Sequence, residues 1–176
     1  MSFLNTTATL HHVSSLPEKT TRDQALTMLS DRKFVLECGP AIDKWEPTTP
    51  SSPPEVPEAY RAQARGPLKT ECFTVTDIVH AMPAGLWDTN VVSTYEITNI
   101  TDGLFVRIKS PMGIVMDTTW EVKDRDGGAG LELVEHIEIR CSRLLIGLVK
   151  GECEEGWSKI HAKMIARLKE EIEAKA

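Results

Sequence analysis

The chain is short of the signatures that advertise a cofactor or a metal. It has no GxGxxG, no phosphate-binding P-loop, no HExxH and no GxSxG. Its four cysteines, Cys38, Cys72, Cys141 and Cys153, lie far apart and form no CxxC, so neither a disulfide scaffold nor a zinc site is expected. No Lys/Arg run stands out and the net charge is −6, which argues against a nucleic-acid footprint. The longest apolar stretch, Leu144 to Val149, is far too short to span a bilayer. The first residues lack a basic segment followed by an apolar one, so secretion is not expected. His11 and His12 are neighbours on a strand-like run, where their rings point to opposite faces and cannot share a metal. Asp124 and Asp126 sit in a glycine loop without the distal Glu of a calcium loop. The expectation is a cytoplasmic protein with no cofactor, no metal, no nucleic-acid partner and no membrane span.

What is present is an amphipathic helix, expected from about Ser142 to Ala176. Leu145, Leu148, Val149, Cys153, Trp157, Ile160, Met164, Leu168 and Ile172 make an i, i+3, i+4 stripe, with Lys and Glu opposite. Such a helix would reach about 50 Å if unbroken, so something broad must lie under its stripe. With 176 residues and 41% apolar content the chain suits one domain, residues 1–176, with a real core.

The partner is a series of strand-like runs. Phe3 to Val13 is β-branched and reads as a first strand. Thr20 or Thr21 caps a short helix over Arg22 to Ser30. Arg32 to Glu37 is a second short helix or a strand, and Ile42 to Thr48 a short edge strand. Five prolines between Pro47 and Pro57 exclude a central strand and mark a surface loop or a lid over a pocket mouth. Strands are then expected over Lys69 to Met82, Trp87 to Ile100, Leu104 to Lys109, Ile114 to Lys123 and Leu131 to Arg140. Asn99 to Gly103 is a clear hairpin signal, and the short connections force an antiparallel meander.

This order resembles the helix-grip fold of the START-like superfamily, with its birch-pollen-allergen and polyketide cyclase/dehydrase relatives. Two stretches, Thr76 to Gly85 and Leu131 to Cys141 running into Leu145 to Lys150, are similar to an uncharacterised fungal branch of it. The resemblance implies an α+β architecture: a curved antiparallel sheet of six to seven strands wrapped around the long C-terminal helix, with one or two short helices after the first strand. It also implies a hydrophobic cavity between sheet and helix, but no one chemistry.

Strand alternation sorts the candidate lining. Met116, Thr118 and Trp120 share one face; Leu133, Glu135 and Ile137 share another; Val106 and Tyr95 point the same way. Glu135 is a carboxylate on an apolar face, so its pKa rises unless it is paired, and it could act as an acid or base. Twist could also turn it to solvent, or a nearby base could pair with it. His80 and Tyr95 are the other candidate polar groups. From the helix, Trp157 and Met164 would add walls. Gly147 and Gly151 are costly in a helix, at about 1 kcal/mol each, and either leave room for a ligand or mark close packing or a kink. Two functions follow: binding of a small hydrophobic or aromatic molecule in the cavity, or a cofactor-free cyclase or isomerase acting on a polyketide-like product.

Overall fold

The computed structural model describes residues 5–50, 52–62, 69–80 and 88–175. Seven strands form one antiparallel sheet: β1 (Asn5–Ser15), β2 (Ile42–Pro47), β3 (Thr70–His80), β4 (Asp88–Ile100), β5 (Gly103–Ser110), β6 (Ile114–Asp124) and β7 (Leu131–Ser142). Their order across the sheet is β1-β7-β6-β5-β4-β3-β2. The last five strands form the meander that their short turns require. The first two flank it as edges.

The crossover from β1 to β2 is made by α1 (Arg22–Ser30) and α2 (Arg32–Cys38). Thr21 begins α1 with a reciprocal capping box: its hydroxyl accepts from the Gln24 N–H, and the Gln24 side chain accepts from the Thr21 N–H. Asp31 ends α1 and caps α2 through the Phe34 N–H. The Arg32 to Glu37 run is thus helical.

The long helix, α4 (Ile146–Glu173), lies in the hollow of the sheet. It starts later than Ser142, because Ser142 is still paired in β7 with Asn5 and accepts a turn hydrogen bond from Leu145. Its 28 residues give about 42 Å of helix. Leu148, expected inside, is 50% exposed, since the stripe that meets the sheet runs through Val149, Cys153, Trp157, Met164 and Leu168. Arg167 ties α4 to α2 through Asp31 (2.8 Å) and lies over the Phe34 ring. That guanidinium, by hydrogen bonding, holds the Asp31 carboxyl below its usual range.

The hollow divides into two parts. Towards the C-terminal half of α4, the helices α1 and α2 close it: Met28, Leu29, Leu36, Leu104, Val122, Leu133, Met164 and Leu168 are sealed there. Each such side chain contributes about 1.5–3 kcal/mol by leaving water. Towards the N-terminal half, no such plug is present among the described residues. There Ile108, Ile114, Met116, Val149 and Cys153 pack only partly buried.

The proline-rich segment lies on the outer, convex face. Val56, and Tyr60 from the short α3 (Glu58–Arg61), pack against Phe105 and Ile100, with Tyr60 and Phe105 stacked at 5.0 Å. Arg107 fastens it further by donating to the Glu55 carbonyl at 3.0 Å while gripping Asp117 with two bonds of 2.6 and 2.7 Å. The segment is therefore a strap on the back of the sheet.

Candidate functional site

Register places the inner-face residues in rows. His12 on β1 is paired with Glu135 on β7, which is paired with Trp120 on β6. The next rows hold Leu10, Ile137, Thr118, Val106 and Ile97, then Ile139, Met116, Ile108, Tyr95 and Phe73. Met116, Thr118, Trp120, Leu133, Ile137, Val106 and Tyr95 thus share the concave face, as alternation requires.

Glu135 is 2% exposed and accepts a 2.8 Å hydrogen bond from His12 Nδ1. His12 Nε2 meets Glu154 Oε2 of α4 at 3.2 Å. A neutral imidazole has a single N–H, so as a donor it serves one of the two carboxylates at a time. The imidazole stacks flat on Trp157, with ring centres 4.5 Å apart and 3° between planes. His161, one turn further along α4, is 1% exposed; its Nδ1 lies 2.8 Å from Ser14 Oγ and its Nε2 3.8 Å from Glu135 Oε2. Burial, helped by the charge of His12, pushes His161 down to about 4, so it is neutral. For Glu135, burial raises the carboxyl above the usual range despite the opposing pull of His12 and Trp120. The Trp120 indole favours the carboxylate from across the strand pair, yet its buried N–H makes no hydrogen bond among the described residues.

A second polar pair stands on β3 and β4. Phe73, Val75 and Asp77 share the concave face with Tyr95 and Val91, and Tyr95 hydrogen-bonds Asp77. Burial raises Asp77 to about 6, against the opposing effect of that bond. Burial also pushes the Tyr95 phenol far up, with the Asp77 charge adding to it. Cys153 on α4, 3.9 Å from Met116 Sδ, rises to about 12 by burial and by the nearby Glu135 carboxylate. Asp77, Tyr95 and Cys153 nevertheless keep part of their surface accessible. Desolvation without full closure is what side chains lining an enclosed space show.

Sequence reasoning singled out Glu135 and Tyr95 but not Asp77, His12, His161 or Ser14. The signals were present: His12 and Ser14 alternate with Leu10, and His161 stands four residues after Trp157 on the helix stripe. Asp77 was obscured because both faces of β3 are buried, with Cys72 and Thr76 packed on the back. His80 ends β3, and its side chain lies outside the described residues. Trp157 and Met164 face the sheet. A Cβ on Gly147 or Gly151 would meet nothing within 4 Å, and Gly151 lies roughly 160° around the helix from Cys153. A pocket of about 430 Å³ lies on the convex face beside Thr7, Glu55, Lys109 and Arg140. Lys109 and Arg140 there are already engaged by Glu96 and Asp117. Among the described residues no helix is long and apolar enough to cross a membrane.

Three solved structures share the fold. One is Ara h 8.0201, at 12% identity and a TM-score of 0.57, covering 94% of this chain and 99% of that one. Another is norcoclaurine synthase from Thalictrum flavum, a point mutant in complex with a transition-state analogue, at 13%, 0.58, and 98% of both chains. The third is the di-domain ARO/CYC protein StfQ from the steffimycin biosynthetic pathway, at 11% and 0.58, covering 97% of this chain and 53% of that one. The architecture is the helix-grip fold. No curated protein matches the chain. A family model matches residues 5–170, nearly the whole described length, and the chain belongs to the family whose description is "Domain of unknown function (DUF7053)".

Proposed function

We propose that the protein binds a small, largely apolar or aromatic molecule between the sheet and the N-terminal half of α4. One observation carries this: the hollow is sealed at the α1–α2 end but left partly accessible around Ile108, Met116, Tyr95 and Cys153. A filled core would have no reason to leave Tyr95, Asp77 and Cys153 desolvated and still accessible. The solved structures support the reading by fold: one is bound to a transition-state analogue and another is an ARO/CYC protein of a biosynthetic pathway. Native mass spectrometry of the gently purified protein, with a denatured control, tests it. A co-purifying mass of a few hundred daltons, lost on denaturation, is expected. A bare protein that also fails to bind any of a panel of naphthalene-sized molecules at millimolar concentration rejects the reading.

A second reading, a cofactor-free cyclase or isomerase, is favoured by the Asp77–Tyr95 pair. A carboxyl held near 6 carries and releases a proton at physiological pH, and the phenol bonded to it steadies a substrate oxygen. Glu135 is less suited to that role because His12 already engages it. Catalysis predicts that the bound molecule changes on incubation and that Asp77→Asn stops the change while Glu135→Gln does not. Turnover that survives Asp77→Asn rejects Asp77 as the base.

A further inference from the structure

Two buried nitrogens beside Glu135 lack partners among the described residues: Trp120 Nε1 and His161 Nε2. Burying an N–H without an acceptor costs on the order of 1–3 kcal/mol, so two of them around one carboxylate call for an occupant. Glu135 and Trp120 stand two rows along the inner face from Ile139, Met116, Ile108 and Tyr95, where the binding reading puts the ligand.

The chemistry of the occupant follows from the atoms. Trp120 Nε1 can only donate. His161 is neutral, so Nε2 carries either a proton or a lone pair, depending on whether Ser14 donates to Nδ1 or accepts from it. Glu135, already bonded to His12, has a second oxygen that accepts. When Nε2 carries the proton and Ser14 donates to Nδ1, a hydroxyl satisfies all three: it accepts from Trp120 and His161 and donates to Glu135. A carbonyl or ether cannot donate to Glu135. A carboxylate would be repelled by it, and no Lys or Arg contacts this cluster among the described residues.

Resting on the binding reading above, we propose that the recess formed by Glu135, Trp120 Nε1 and His161 Nε2 is a subsite for the hydroxyl of a neutral alcohol or phenol. A water molecule shares that chemistry, and the test separates the two. Isothermal titration calorimetry compares 2-naphthol with 2-methoxynaphthalene, which keeps the ring and the oxygen but loses the donor. The wild-type protein is expected to bind 2-naphthol about tenfold more tightly. Trp120→Phe keeps an aromatic ring and removes the N–H; it is expected to cut that preference to about threefold or less. Glu135→Gln, measured in parallel, is expected to narrow the preference as well. Equal affinity for the two probes in the wild type overturns the subsite, leaving only a bound water there, and spares the binding reading. A preference that persists undiminished in both variants also overturns it. Failure of both probes to bind overturns the subsite and the binding reading together.

Discussion

Asp77→Asn tests whether the hollow holds a carboxylate at the expense of stability. An ordinary Asp carboxyl titrates at 3.8, and burial lifts this one to about 6. Moving a titration midpoint by one pH unit is worth about 1.4 kcal/mol, so an ionised Asp77 weakens the fold by about 3 kcal/mol at pH 7. The folded-state pKa is raised. The protonated form is therefore fully tolerated below 3.8, and stability is lost progressively as pH rises from there through about 6. Asparagine is close in shape, carries no charge and can still accept from Tyr95. The variant should accordingly be more stable than the wild type by about 3 kcal/mol at pH 7 and by roughly half of that at pH 5, levelling off above pH 7. Urea denaturation followed by far-ultraviolet circular dichroism, at half-unit steps from pH 5 to pH 8, measures the difference. A gain that stays constant across this range, or a variant less stable than the wild type at pH 7, refutes the reasoning. A positive result would also mark Asp77 as retained for ligand or substrate, since packing alone gives no reason for an ionised group there.

Gly103 opens β5 where a Cβ would come within 1.8 Å of the Trp120 carbonyl oxygen, a backbone atom that cannot step aside. Gly103→Ala is expected to cost about 2–3 kcal/mol, read as a thermal midpoint lowered by roughly 5–10 °C; a drop of less than about 2 °C would contradict this close approach. Gly151→Ala should act the other way, since its Cβ would meet empty space on the outer side of α4. The helix then gains about 0.5–1 kcal/mol from propensity with no change in ligand affinity, and weakened binding would put Gly151 at the pocket wall after all.

The architecture was legible in the sequence because its signals are local. The Asn99–Gly103 turn, the alternation in β6 and β7 and the stripe of α4 each depend on neighbours within a few residues. Glu135 stood out for the same reason, as the lone charge on an apolar strand face. Its partners did not. His12 lies 123 residues away from it, and the pairing exists only because β1 returns to the meander beside β7. Ser14 and His161 meet through the same closure, with α4 laid over β1. The start of α4 was misplaced because Ser142 looks like a helix cap, and only the pairing of β7 with β1 shows that it is spent on the sheet. The strap was recognisable as a proline loop, yet which face it covers depends on Phe105. That side chain alternates to the back of β5 and is sealed there by residues some fifty positions earlier.

With Leu104 and Val106 buried inside and Phe105 and Arg107 buried beneath the strap, β5 is enclosed on both sides over its first five residues. The sheet is thus a fixed jaw. On the binding reading, a guest the size of a ring system is expected to enter past the first turns of α4, where Leu145 begins the helix without a side-chain cap and Leu148 faces outward. Hydrogen exchange should therefore show β5 amides among the slowest in the chain and those of the first two turns of α4 among the fastest of any long element. Ligand should slow the helix and leave β5 unchanged. Equal protection of the two elements would mean that the helix is not the door.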